Sequence, residues 1–285
     1  MKKFVAVILL IVGVIFLFKG FTDWKYRISN KVKNDSIREL TTSENVEDPL
    51  NRIIDFQKLK SINKDVVAWI YIPGTKVDYP ILVGENDEEY LYKDINKDYT
   101  PLGSLFSFNG TNFTKGNTFV FGHNMANSQM FGELRKYLSS DFLDEHRYFY
   151  LYTERKAMKC DIFSIFIANE SDDVFSGQYE LGTSEYIDLL SELVNRNKYG
   201  NNLEKNIIEY STTQVFNLIT CHGGEGTTDR LLVNGIVVEG KNKINDKRCS
   251  LGTPFKVRRI YVDGIYSGDN YINFILIIIF RKNFI

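Results

Sequence analysis

The chain has 285 residues, with 36 acidic side chains against 35 basic ones and a formal net charge of −1. That balance excludes the basic footprint of a nucleic-acid-binding protein, so no nucleic acid is expected among its partners. A hydrophobic content of 44% with 25% charged residues is enough for a sizeable core in one large domain or two small ones. The three cysteines (Cys160, Cys221 and Cys249) are widely spaced without a CxxC pair, which argues against a disulfide scaffold or a zinc ribbon and leaves room for a free thiol.

A short basic head, Met1-Lys2-Lys3, precedes a run from Phe4 to Phe18 without a charged residue. The run is somewhat short for a ~30 Å hydrocarbon core, but Lys19 can snorkel and Gly20-Phe21-Thr22 can lengthen it. No small-residue cleavage site follows, so residues 1–24 read as an uncleaved signal-anchor with Lys2 and Lys3 on the cytoplasmic side. The expected localisation is a single-pass membrane protein with its globular part outside, Trp24 and Tyr26 lying at the outer interface. Residues 25–48 are polar and charged and read as a juxtamembrane stalk, helical in part. From Pro49, the spacing of Leu50, Ile53, Ile54, Leu59 and Ile62 predicts a helix packed by one face.

Several β-patterned runs follow. Val66–Ile72 stops at Pro73-Gly74, Val77–Val83 resumes, and Gly103–Phe108 ends at Asn109-Gly110. Asn117–Phe121 runs into Gly122-His123. Ser128 is the expected cap of a helix carrying Met130, Phe131, Leu134 and Leu138. Tyr148–Tyr152 and Asp161–Ala168 read as strands. Ser184–Asn197 reads as an amphipathic helix with Tyr186, Leu189, Leu190 and Val194 inward. Val215–Ile219 delivers Cys221, a Gly-rich loop turns the chain, and Arg230 opens a run that ends near Glu239-Gly240. Many short strands with turn signals between them predict a mainly β fold, a closed or nearly closed barrel of seven or eight strands with inserted helices and an N-terminal helical region.

The hairpin Thr220-Cys221…Arg230 brings a thiol and a guanidinium together, and His123 arrives from the end of another strand. Nucleophile, proton carrier and oxyanion stabiliser are the parts that acyl transfer needs. His222 adjoins Cys221, but successive side chains of an extended chain point to opposite faces, which makes a direct dyad awkward. His146 lies in a charged context and reads as solvated, Cys160 reads as packing, and Arg230 alone would read as a surface residue paired with Asp229 or Glu225.

Thr220-Cys221 with Arg230, and Gly122-His123-Asn124-Met125 followed by Met130-Phe131, resemble the sortases, and class B most closely, over roughly residues 50 to 240. The resemblance implies a cysteine transpeptidase of the Gram-positive cell surface. Cys221 would attack the threonine carbonyl of a C-terminal sorting motif on a surface protein, Arg230 would stabilise the oxyanion, His123 would carry protons, and Thr220 would shape the substrate pocket. The thioester would pass to an amine of a cell-wall peptide. No metal or organic cofactor is implied. The expected division is 1–24 anchor, 25–48 stalk, 49–240 catalytic domain and 241–285 an atypical tail. That tail carries a basic piece (Lys256, Arg258, Arg259) and an apolar run, Ile272 to Phe280, too short to span a membrane. It leaves open an extra strand, a membrane-contacting tail or an altered reading frame. Two competing readings are a cysteine endopeptidase and an inactive, membrane-anchored binding module. Papain-like and wall-peptidase hydrolases place their cysteine at a helix start and ahead of the histidine, and here both are reversed.

Overall fold

The computed structural model describes residues 2–43, 47–111, 113–201, 203, 206–224 and 226–243. The chain divides into two units, Met1–Ile244 and Asn245–Ile285. The second, with the tail expectations and Cys249, lies outside the described residues.

Eight strands form the first unit's barrel: β1 (Val66–Tyr71), β2 (Asp78–Val83), β3 (Leu105–Ser107), β4 (Asn117–Phe121), β5 (Tyr148–Tyr152), β6 (Lys156–Asn169), β7 (Val215–Cys221) and β8 (Asp229–Asn242). Their order is β1-β2-β3-β4-β7-β8-β6-β5, and β5 pairs back onto β1 to close the sheet. Closure removes the exposed edges an open sheet would leave. β4 and β7 run parallel while β7 and β8 form an antiparallel hairpin. The interior is filled by Ile70, Ile81, Leu105, Val120, Leu218 and Val233 among others. The residues between these positions are also buried, under helices: Phe119, Ile219 and Leu232 pack with α4 (Ser184–Asn195), and Trp69, Leu82 and Phe106 pack with the N-terminal helices. Burial on both faces is why these strands read as continuous apolar runs.

α1 is one helix over Lys2–Thr41, joining the expected anchor and stalk without a break. Its N-terminal part is exposed and apolar, long enough to cross a membrane by length and composition. Its C-terminal part packs on the barrel: Ile37 is buried beside Leu50, Phe56 and Leu59. Nearby, Arg52 pairs with Asp78 through two 2.8 Å bonds while Trp69 Nε1 donates to the same carboxylate at 2.7 Å. The helix ends where Thr41 and Thr42 turn their hydroxyls onto the carbonyls of Ile37 and Arg38, at 2.6 and 2.8 Å.

Four local expectations are corrected. The amphipathic stretch from Pro49 is a 3₁₀ turn at Pro49–Asn51 and a separate helix, α2 (Phe56–Ile62), with Ile53 exposed between them. Ser128 caps no helix: it has φ +67°, Met130 has φ +50°, and the chain bends there before a 3₁₀ turn at Leu134–Leu138. In α4, Leu193 is buried and Val194 only partly so. A short helix, α3 (Ser140–Glu145), precedes β5. There His146 packs on Phe142, with ring centroids 4.3 Å apart, where Gly74 has no side chain; it is not the solvated residue expected.

Candidate active site

The ladder sets the site. Cys221, the last residue of β7, is the cross-strand partner of Arg230 at the start of β8. On the other side, the parallel register pairs Phe121 with Ile219. It continues past the strand end: Gly122 N–H donates to Ile219 O at 3.1 Å, and the Asn124 carboxamide donates to Cys221 O at 2.9 Å. His123 therefore leaves β4 beside Cys221.

Alternation decides the faces. Leu218, Leu231, Leu105 and Val120 fill the barrel, so Ile219 and Leu232 point outward. Cys221 is in step with Ile219 and Arg230 with Leu232. Gly122 lies on the inner side, where an added Cβ would stand 2.3 Å from Leu105 Cδ2 and 2.8 Å from Phe131 Cδ2, so His123 turns to the outer side. Cys221, Arg230 and His123 thus share one outer face at one end of three adjacent strands. Thr220 alternates inward: it is buried, and its hydroxyl donates to Gly122 O at 2.7 Å, tying β7 to β4. His222 N–H donates to Asp229 O at 2.8 Å, which extends the ladder and carries the His222 side chain off the Cys221 face.

His123 is held from outside the barrel. Its Nε2 lies 2.8 Å from Leu91 O, and its ring packs on Tyr92 with centroids 5.5 Å apart. A carbonyl only accepts, so Nε2 carries a proton and Nδ1 is the ring nitrogen left for proton transfer. Leu91 O is in turn fixed by a folded loop: Ser104 N–H donates to Tyr90 O at 3.0 Å and Thr100 N–H to Tyr92 O at 2.9 Å. Gly103 closes the loop at φ +57°, and a Cβ there would stand 2.3 Å from Leu91 O. α1 holds the same loop: Asn30 Nδ2 donates to Thr100 Oγ1 at 2.5 Å and Lys33 pairs with Asp94 at 2.7 Å and Asp98 at 3.1 Å.

Arg230 Nη1 donates to Thr227 O at 2.9 Å and Asp229 O at 3.1 Å, and Nη2 to the Glu170 carboxylate. The acidic partner is thus Glu170, at the start of the β6–α4 connection, and not Asp229; Glu225 lies outside the described residues. Cys221 is a partly exposed free thiol, whereas Cys160 is fully enclosed and burial pushes its thiol well up, which leaves it inert. Among the described residues no group of three or more metal-ligating side chains gathers. Leu91, Tyr92, Gly103, Asn30 and Glu170 carried no sequence signal as parts of a site; the only trace of one was Gly103 as a strand-opening glycine.

A thiol, a histidine with a free Nδ1 and an arginine on one face constitute the equipment of a cysteine acyl-transfer site. A sortase domain profile matches residues 70–238, and the chain belongs to the sortase family. It is 30% identical over 207 residues to Sortase B of Listeria monocytogenes, covering 69% of this chain and 82% of that protein. It is 23% identical over 251 residues to Sortase B of Staphylococcus aureus, covering 84% and 98%. The solved structure of sortase B from B. anthracis in complex with AAEK1 aligns with a TM-score of 0.64 at 21% identity, over 76% of this chain and 99% of that one. Clostridium perfringens sortase B aligns at 0.58 with 28% identity, over 65% and 100%. These relatives place the chain in class B.

Proposed function

We propose that this protein is a membrane-anchored cysteine transpeptidase that joins surface proteins to the cell wall. The observation that carries the reading is the register that sets Cys221 between Arg230 on one side and the end of β4, which delivers His123, on the other, on one outer face. The α1 apolar segment is the anchor, with Lys2 and Lys3 cytoplasmic and the barrel outside.

The chemistry runs in two steps. The Cys221 thiolate attacks the threonine carbonyl carbon of a C-terminal sorting motif, and the resulting oxyanion takes hydrogen bonds from the Arg230 guanidinium, which stays protonated throughout. The His123 imidazolium gives its Nδ1 proton to the departing amine; the C–N bond breaks, leaving a thioester and a neutral imidazole. An amine of a cell-wall peptide then attacks the thioester. His123 accepts its proton at Nδ1, the C–S bond breaks, and the amide product leaves a free Cys221 thiolate. Throughout, the bond from Nε2–H to Leu91 O keeps the ring in place. Thr220 acts through the fold: with its side chain buried against Gly122, it sets the position of the nucleophile's strand.

The test uses the full chain in detergent micelles, a panel of sorting-motif peptides and intact-mass spectrometry. The expected result is an acyl adduct on Cys221 that a short amine releases as a new amide. Cys221→Ala removes the adduct, and Arg230→Ala slows its formation by about 10²–10³-fold, the usual cost of losing an oxyanion donor. An adduct released only by water would make the enzyme an endopeptidase. No adduct from any peptide, with the protein folded, would sink the reading.

A further inference from the structure

Arg230 sits in a socket of three acceptors. Two are main-chain carbonyls, Thr227 O in the β7–β8 turn and Asp229 O at the start of β8, and the third is the Glu170 carboxylate. The socket is one piece. Glu170 N–H donates to Thr228 O at 2.7 Å, and Asn169 Nδ2 donates to Thr228 Oγ1 at 2.9 Å. The β6–β8 ladder behind them pairs Ala168 with Arg230 and Asn169 with Asp229. Glu170 is thus delivered to the guanidinium by the end of one strand, while the neighbouring hairpin, through its turn and the first residue of β8, supplies the other two acceptors. A guanidinium has five N–H donors. Three are taken by described partners, which leaves two for anything that approaches the outer face.

The cross-strand pairing puts the Cβ atoms of Arg230 and Cys221 ~4.5–5.5 Å apart. A carboxylate on Nη2 therefore does two things to the thiol's surroundings. It limits the rotations of a long, flexible side chain to those that keep the guanidinium beside the strand end. It also cancels part of the positive charge that would otherwise favour the thiolate. The other titratable or charged groups about Cys221 on these strands are His123 after β4, His222 after β7 and Asp229 on β8. Of Asp229, Arg230 uses only the backbone oxygen, so among the described residues Glu170 is the single carboxylate on the guanidinium.

We propose that Glu170 is a positioning residue of the active site: it aims Arg230 at the oxyanion and moderates the acidity of Cys221. The proposal rests on the role given to Arg230 above. The pair is partly exposed, with side chains 21% and 49% accessible for Arg230 and Glu170, so its value lies in aim and not in stability.

The experiment compares wild type, Glu170→Gln, Glu170→Asp, Arg230→Ala and the Glu170→Gln/Arg230→Ala double variant, as full chains in detergent. The first readout needs no peptide: the pH dependence of iodoacetamide alkylation at Cys221, followed by mass spectrometry of the Cys221 peptide. Removing the carboxylate is expected to move the alkylation midpoint to lower pH, with Glu170→Asp close to wild type and thermal melting unchanged. The second readout is acyl transfer. Glu170→Gln is expected to lower kcat by roughly 10-fold, within the range that misplacing a reacting group produces, with KM nearly constant. That loss is expected to vanish in the Arg230→Ala background, because Glu170 acts through the arginine. An unmoved alkylation profile, or an equal kcat loss with and without Arg230, overturns the proposal. If wild type transfers no acyl group, the transpeptidase reading fails while the alkylation profile still decides whether Glu170 governs the thiol.

Discussion

The two sides of the site are held by different physics. Cys221 and Arg230 stand on neighbouring strands of a closed barrel, and their register is fixed by a ladder running back to Val215 and Ile236. A slip there would turn every buried side chain to the wrong face, so the whole core opposes it. His123 stands past the end of β4. Its ring is set by one carbonyl and one tyrosine on a folded loop, and the loop is set by Gly103 and α1. Cys221 and Arg230 draw their position from the cooperative stability of the barrel. His123 draws its position from a handful of side-chain and turn contacts, and these can fail while the barrel stays folded.

The sharpest way to separate the sides is Gly103→Ala. The backbone at φ +57° disfavours alanine, and the new Cβ would press on Leu91 O, the acceptor of His123 Nε2. With His123 displaced, kcat is expected to fall about 10²-fold, as for a reacting group misplaced by 1 Å. The barrel, read by amide exchange of β7 and β8, is expected to keep its protection. Equal loss of protection in both regions would show that the loop and the barrel are one cooperative unit.

Asn30→Ala gives a milder cut at the same side. It removes a buried hydrogen bond between α1 and Thr100. At about 1 kcal/mol for such a bond, amides of residues 91–103 are expected to lose roughly 5-fold in protection, with a smaller fall in kcat. A matching loss along β8 would contradict the division.

Acid provides the smallest and most graded test. Burial would raise the Asp65 carboxyl, but bonds from Lys97 and Tyr90 outweigh it and hold it below its ordinary 3.8. The Glu85 N–H, aided by Lys97 and Lys93, holds Glu89 below 4.5. Carboxyls depressed in the folded state stabilise it fully above their unfolded values, and that contribution is lost as pH falls through the folded ones. The segment 85–97 is therefore expected to lose protection as pH drops below 4.5 and then 3.8, ahead of β7 and β8. Exchange measured between pH 7 and pH 3, corrected for intrinsic rates, checks the order; loosening of the barrel first would break the comparison.

The sequence by itself determined the parts that local pattern can carry. β-branched and aromatic runs of strand length, closed by Pro73-Gly74 or Asn109-Gly110, marked the barrel strands, because a strand buried on both faces needs an unbroken apolar stretch. The short hairpin made Cys221 and Arg230 neighbours, since its loop is too short to take them elsewhere. Cys221 and His123 were legible as strand-end residues; the parallel register that sets them side by side was not, because β4 and β7 are joined through β5, β6 and α4. Tertiary structure alone decided that the stretch after the apolar segment docks through Asn30, Lys33 and Ile37. It also decided that Leu91 O orients His123 and that Glu170 meets Arg230. The physical reason is common to all three. Each is a contact between residues far apart in sequence, made by a turn, a loop or a polar helix face. Such segments have no hydrophobic period to betray their partner, and only the closed barrel brings the two ends together.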